Sequence, residues 1–163
     1  MADEILLTLQ RAWQMNTRQA HLPAMEQRLQ AAAGLALPRP ARSALLHLSE
    51  GGPLHISDLA AAAGVDVSTM SRTLRQLGAS GFIARDRGED LRTVRISLTG
   101  AGEEAVARLL AGGQMVLGEV LSGWSQDDRV ALSRLLMRFA NDFAAYLGQS
   151  SELDGERGAA QCL

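Results

Sequence analysis

Apolar residues recur every three or four positions over most of this chain, which predicts a mainly helical protein. Residues 3–33 carry such a stripe, and Pro23 either interrupts it or starts a second helix there. The segment 37–40 contains two prolines and predicts a break. A further helix then ends in a glycine-rich turn at residues 50–53. The apolar positions of these helices are Ile5, Leu6, Leu9, Trp13, Met25, Leu29, Ala44, Leu45 and Leu48.

Two short helices joined by a tight turn follow in the middle of the chain. The first is predicted over Ile56–Ala63, and Gly64 supplies the backbone conformation that a helix C-terminus prefers. Asp66 is a good N-cap for the second helix, Val67–Ala79. One face of the second helix is apolar and predicted to be buried; it consists of Met70, Leu74 and Leu77.

A different face of the helix 67–79 carries only short hydroxyl side chains and arginines. Ser68, Ser71, Arg72 and Arg75 are spaced i, i+3, i+4 and i+7, so they share one side of the helix. No acidic residue interrupts this side.

Alternating apolar and polar residues then predict two strands, Phe82–Asp86 and Thr93–Leu98. The loop between them, residues 87–92, is a charged hairpin tip with an arginine at each end. A helix, a turn, a second helix and a two-stranded hairpin together form a winged helix-turn-helix.

Two longer helices follow the hairpin. Thr99 is predicted to cap a helix that runs to about Leu121, with a bend at Gly112 and Gly113. A final helix is predicted from about Gln126 to Leu147. The polar residues 149–163 are expected to form a flexible tail. The apolar stripe of the final helix contains Leu132, Leu136, Phe139, Phe143 and Leu147.

Charge is concentrated in one part of the sequence. The formal net charge of the 163 residues is -2, so the chain as a whole does not attract nucleic acid. Residues 67–98, however, hold six arginines and three acids, a balance of +3, which leaves -5 for the remainder. Any acidic partner is therefore expected at this local patch.

The same composition argues against several other classes of protein. The single cysteine, Cys162, excludes an internal disulfide framework, and we expect it to be inert. No signal peptide and no apolar run of about 20 residues is visible, so a cytoplasmic protein without a membrane partner is expected. The three histidines match no metal motif, and neither a phosphate-binding glycine loop nor a nucleophile elbow occurs. We therefore expect no enzyme activity, no metal and no cofactor.

Residues 37–99 resemble the MarR family of transcription regulators. The most specific likeness lies in the hairpin, where the family pattern is Asp-x-Arg, three residues, an aliphatic residue, one residue and Leu-Thr. One departure is His55, which stands where the family commonly has a capping Thr. The residues that carry the resemblance are Leu59, Ala60, 67–72, Leu77, Gly81, 90–92 and 96–99.

The resemblance and the residues together predict the chemistry of the site. Arginine binds guanine or phosphate, and short hydroxyl side chains let a helix approach the major groove of double-stranded DNA closely. In the family the acid that matches Asp90 orients the wing, and the tip enters a minor groove. The predicted DNA contacts are Ser68, Thr69, Ser71, Arg72, Arg75, Arg87 and Arg92.

The resemblance also implies a domain organisation and an effector. We expect dimerisation helices at 1–36 and 100–148 around the winged core 37–99, because their apolar stripes lie too far away to be buried against it. The alternative is that they pack within one subunit. A homodimer would bind an imperfectly palindromic operator, most simply as a repressor. The family commonly responds to a small aromatic or phenolic effector, for which Trp13, His21 and His47 are candidate pocket residues, although each is more often a packing or surface residue.

One competing hypothesis remains at this point. The winged helix could serve only to bind another protein, and the exposed arginines could be ordinary solvated charges. A pure interaction module, however, has no need for a cationic surface that the helix and the hairpin share.

Overall fold

The computed structural model describes residues 2–87 and 94–160, and the side chains of residues 4–86 and 94–148. This part of the chain contains seven α-helices and one two-stranded antiparallel hairpin, which confirms the predicted fold class. It forms two compact units, residues 1–118 and 119–163. The elements are α1 (Ala2–Ala20), α2 (Pro23–Ala33), α3 (Arg39–Gly51), α4 (Ile56–Ala63), α5 (Val67–Ala79), β1 (Ile83–Arg87), β2 (Val94–Leu98), α6 (Gly100–Val120) and α7 (Gln126–Ala160).

Local signals in the sequence set most helix boundaries. Pro23 is the first residue of α2, where its missing N–H costs no helical hydrogen bond. Gly64 ends α4 with a φ of +65°, a conformation that glycine adopts without strain. Asp66 caps α5 by accepting a hydrogen bond from the backbone N–H of Thr69 at 2.8 Å. His55 precedes α4 but forms no side-chain cap, as its departure from the family pattern predicts.

The core of the first unit is formed mainly by α3, α4, α5 and the hairpin, and Ala33 of α2 and Ala105, Val106 and Leu109 of α6 complete it. The apolar face predicted for α5 is fully buried there, and α3 and α4 contribute the residues that face it. Ile83 and Ile96 extend this core onto the hairpin. The largest side chains that solvent does not reach are Leu45, Leu59, Met70, Leu74 and Leu77.

The hairpin is held by a third segment that the sequence analysis missed. β1 and β2 pair in the register Ile83 with Leu98 and Arg87 with Val94, one residue from the predicted bounds. Leu54 forms an isolated bridge to β2: its N–H donates to the carbonyl of Ile96 at 3.0 Å, and the N–H of Ile96 donates back at 2.9 Å. The open edge of β2 is therefore fixed to the segment between α3 and α4.

A joint at Thr99 connects the end of α5, the hairpin and α6. The hydroxyl of Thr99 donates to the carbonyl of Gly81 at 2.6 Å and accepts from the N–H of Gly102 at 3.1 Å, which confirms the predicted cap. The N–H of Thr99 donates to the carbonyl of Phe82 at 3.1 Å. The side chain of Thr99 therefore links the turn between α5 and β1 to the first turn of α6.

Helix α6 also contacts the end of α2 closely. It runs as one helix through Gly112, and a Cβ atom at this position would lie 2.7 Å from the backbone nitrogen of Ala33. Arg108, one turn earlier, donates to the carbonyl of Ala33 at 3.1 Å and also to that of Gly34. Close approach of two helices gives Gly112 a packing role, and the bend stays a prediction.

The contact at Gly112 gives a stability prediction. We expect Gly112→Ala to lower the free energy of unfolding by about 1–2 kcal/mol, since the added methyl group meets backbone atoms that cannot rotate away. Urea unfolding followed by circular dichroism measures this loss.

Gly113→Ala is the matched control for that variant. It lies in the same helix, and nothing stands within 4 Å of its added Cβ. Its free energy of unfolding should rise by up to about 1 kcal/mol, because alanine has a higher helix propensity than glycine. Equal stability of the two variants would show that α6 does not approach α2 in this way.

The second compact unit contains α7. Leu136, Phe139, Phe143 and Leu147 of its predicted apolar stripe are exposed, whereas Leu132 is half-buried. The rings of Phe139 and Phe143 stack with their centroids 5.9 Å apart. The backbone of α7 is helical to Ala160, so helix continues into the segment for which the sequence predicts a tail. The flexibility of that segment stays a prediction.

Candidate nucleic-acid interface

Helix α5 separates its apolar and cationic residues onto different sides. Arg72 and Arg75 are exposed, while Met70 and Leu74 beside them are fully buried. Where the structure describes side chains, no carboxylate forms an ion pair with either arginine. Both guanidinium groups are therefore available to an acidic partner, as the sequence pattern predicts.

The hydroxyl side chains of α5 are less uniform than the pattern predicts. Ser68 and Thr69 are exposed in its first turn, but Ser71 is half-buried. Thr73 is buried and donates its hydroxyl to the carbonyl of Thr69 at 3.0 Å, an internal role that the sequence analysis did not foresee. Of the predicted serine and threonine contacts, two are thus fully at the surface.

Asp66 holds both exposed hydroxyls. Its carboxylate accepts the hydroxyl of Ser68 and, at 2.7 Å, the hydroxyl of Thr69, besides the capping bond from the backbone. The hydroxyl of Ser68, followed by that of Thr69, holds the pKa of the Asp66 carboxyl far below its usual range. The sequence signal for this cluster was present, because an N-cap Asp followed by hydroxyl residues two and three positions later allows these bonds.

The hairpin carries further arginines. Arg85 and Arg95 are exposed, and Arg95 stands opposite Asp86 in the strand register. Arg87 is the last residue of β1, and only its backbone is described. The side chain of Arg87 and the residues Asp90 and Arg92 lie outside the described residues, so their roles stay predictions.

The three candidate pocket residues lie on separate elements. Trp13 lines a cavity on α1 together with Thr17. His21, between α1 and α2, lines a different cavity and approaches the carbonyl of Thr17 at 2.5 Å with its Nδ1. His47 lies on α3 and its Nδ1 is 2.8 Å from the carbonyl of Ser43. Neither cavity contains two of the three residues, so the effector pocket stays a prediction.

Neither a membrane span nor a metal-binding group occurs in the described residues. None of the helices among them combines the length and the apolar character needed to cross a membrane. The same residues contain no group of three His, Cys, Asp or Glu side chains that would hold a metal ion.

This is the architecture of a winged helix-turn-helix protein, which consists of the helices α4 and α5, the cationic side of α5 and the hairpin. The model of the MarR family matches residues 37–94, which span α3 to the start of β2. No curated protein matches the chain.

Solved structures resemble the chain over most of its length. A MarR family transcriptional regulator from Silicibacter pomeroyi is 30% identical, with a TM-score of 0.57 over 80% of this chain and 88% of that one. A MarR family protein from Bacillus stearothermophilus has a TM-score of 0.72 at 23% identity, over 88% and 99% of the two chains. A probable transcriptional regulator from Pseudomonas aeruginosa is 27% identical, with a TM-score of 0.58 over 76% and 92%. The chain belongs to the MarR family of transcriptional regulators.

Proposed function

We propose that this regulator binds double-stranded DNA in a sequence-specific manner, as a homodimer on a pseudo-palindromic operator, and acts as a repressor. The observation that carries the proposal is that Arg72 and Arg75 are both exposed on one side of α5. The chain that carries them belongs to a family of transcriptional regulators. Repression follows most simply, because a bound dimer occupies the duplex and excludes other proteins from it.

The chemistry of α5 suits the major groove, which is wide enough for one helix. Each arginine offers parallel N–H donors that match the O6 and N7 acceptors of guanine or the oxygens of a phosphate. The fully buried Leu74 and Met70 anchor the opposite side of the helix in the core, so it enters the groove as a rigid body. Arg87 and Arg92 at the hairpin tip would contact the neighbouring minor groove, as the family resemblance implies.

Exposed apolar residues on the terminal helices support the homodimer. On α1, Ile5, Leu9 and Trp13 are 63%, 60% and 49% exposed, and on α7 Leu136 and Phe143 are 59% and 41% exposed. Soluble proteins rarely leave so many large apolar side chains in water. A two-fold axis that covers them would place two copies of α5 about 34 Å apart, one turn of DNA.

The proposal includes regulation by a small-molecule effector. A small aromatic or phenolic acid would bind near Trp13, His21 and His47 and release the DNA. The support for it is the family resemblance alone.

Substitution of the arginines tests DNA binding. We expect Arg72→Ala and Arg75→Ala each to weaken binding to a duplex selected from genomic fragments by about 5- to 150-fold, equivalent to 1–3 kcal/mol. Arg92→Ala should weaken binding to every duplex and reduce the slope of log affinity against log salt by about 1. Fluorescence anisotropy at several salt concentrations measures both effects.

Arg39→Ala is the matched control, because it removes one exposed positive charge at the start of α3. It should leave the affinity within about twofold, and sedimentation should show the same dimer for all four variants. If the α5 variants bind every duplex as the wild type does, α5 is not the DNA-contacting helix.

A further inference from the structure

The first turn of α5 contains three hydrogen bonds that all end on one carboxylate. The backbone N–H of Thr69 and the hydroxyl of Ser68 donate to Oδ1 of Asp66, and the hydroxyl of Thr69 donates to Oδ2 at 2.7 Å. All three side chains are exposed. The cluster therefore lies at the surface that the proposed function places against DNA.

The charge on Asp66 determines the direction of these bonds. An ionised carboxylate only accepts hydrogen bonds, whereas a hydroxyl has one hydrogen to donate and two lone pairs. The carboxyl of Asp66 is exposed and is ionised at neutral pH, as any solvated aspartate is, and the hydrogen bonds from Ser68 and Thr69 lower its pKa further. The single hydrogen of Ser68 and that of Thr69 are thus both used, and only their lone pairs remain for a partner.

We infer that Asp66 is a specificity-determining residue. By accepting their hydrogens, it turns the hydroxyls of Ser68 and Thr69 into hydrogen-bond acceptors that recognise an exocyclic amino group of a base. The inference rests on the proposed entry of α5 into the major groove. It adds the chemical class of the base atom that this turn of the helix binds.

The major groove offers this turn a two-way choice. Adenine N6 and cytosine N4 are donors, while guanine O6 and N7 and thymine O4 are acceptors. A hydroxyl whose hydrogen is already used can accept a hydrogen bond from the amino groups of adenine and cytosine. It cannot donate one to the acceptor atoms of guanine and thymine. The strand position facing Thr69 should therefore be adenine or cytosine.

The same bonds argue against a phosphate at this end of the helix. Phosphate oxygens are acceptors, so they cannot bond to hydroxyls that already donate to Asp66. The carboxylate also takes the capping N–H and places a negative charge where a helix N-terminus would otherwise attract an anion. Backbone positioning is thus left to the arginines.

Asp66→Asn tests the inference with little change in shape. Asparagine caps a helix as well as aspartate does, so its Oδ1 keeps the bonds from Thr69 N–H and from Ser68. Its Nδ2, however, is a donor where Oδ2 was an acceptor, which frees the hydrogen of Thr69 for a DNA acceptor. Duplexes selected from a random library by the wild type and by Asp66→Asn are sequenced and compared.

The expected result is a change at one position of each half-site. The wild type should favour adenine or cytosine there, and Asp66→Asn should lower the ratio of these bases to guanine and thymine by about 2- to 12-fold. Thr69→Val, which has no hydroxyl, should lose the preference at the same position without gaining guanine or thymine. Loss of a negative charge also raises affinity for all sequences, so the ratio is the readout.

Asp58→Asn is the matched control. Asp58 is an exposed acid in the first turn of α4 that accepts a hydroxyl from Ser57, and its change should leave the selected sequences as they are. If the wild type selects DNA but Asp66→Asn and Thr69→Val select the same bases at every position, the inference is wrong and the proposed function stands. If the wild type retains no duplex at all, both are wrong.

Discussion

Gly102→Ala is expected to destabilise the protein by at least about 3 kcal/mol, the upper end of the range for overpacked interiors. Gly102 is buried in the first turn of α6, and a Cβ atom there would lie 2.0 Å from the carbonyl oxygen of Phe82. That oxygen also accepts the hydrogen bond from Thr99. Relief of the clash must move the backbone of the joint, and the gain in helix propensity, about 1 kcal/mol, is too small to compensate. Urea unfolding measures the loss.

Gly100→Ala is the control that separates the clash from any general effect of alanine. It lies two residues earlier, at the first position of α6, and has nothing within 4 Å of its added Cβ. Its stability should stay within about 0.5 kcal/mol of the wild type. If both variants unfold at the same urea concentration, the start of α6 does not contact Phe82.

The elements that could be predicted from sequence are those set by nearby residues. The bounds of α4 and α5 agree with the prediction, because Gly64 and Asp66 act within one turn of their own positions. The buried side of α5 could be predicted for the same reason, since the helical period fixes which residues share a side.

The features that could not be predicted depend on residues far apart in the chain. No local pattern shows that Leu54 pairs with Ile96, because Leu54 forms a single bridge and not a strand. The contact of Gly112 with Ala33 likewise joins helices about 80 positions apart. A glycine pair within one helix has several explanations, and only the packed fold shows the close approach at Gly112.

Prediction of the candidate site was limited mainly by side-chain chemistry, although Ser71 is also less exposed than the pattern predicts. The exposure of Arg72 and Arg75 follows from the pattern. The pattern alone does not show that the hydroxyls of Ser68 and Thr69 donate to Asp66, since a hydroxyl at the surface can equally donate to solvent. The sequence leaves a base or a phosphate open as the partner of this turn, and the hydrogen bonds to Asp66 are the observation from which we infer a base amino group.

Leu74→Ala should lower the free energy of unfolding by about 3–5 kcal/mol, the range measured when a fully buried leucine is truncated in a rigid core. Leu74 is 0% exposed and lies in one cluster with Leu45, Leu59 and Met70. Its removal would leave a cavity between α5 and the helices α3 and α4. Leu74→Val, which keeps most of the volume, should lose about 1 kcal/mol and remain folded for binding measurements.

Arg75→Ala is the matched neighbour of this variant, because the two residues are adjacent in one helix and point to opposite environments. Arg75 is exposed, so we expect its stability to stay within about 0.5 kcal/mol of the wild type while DNA affinity falls. All variants are unfolded at one protein concentration, since the stability of the proposed dimer would depend on it. Equal destabilisation by Arg75→Ala and Leu74→Ala would mean that the arginine is packed against the core. The cationic side of α5 would then face the protein, and neither the DNA contact nor the amino-group recognition by its first turn would be possible.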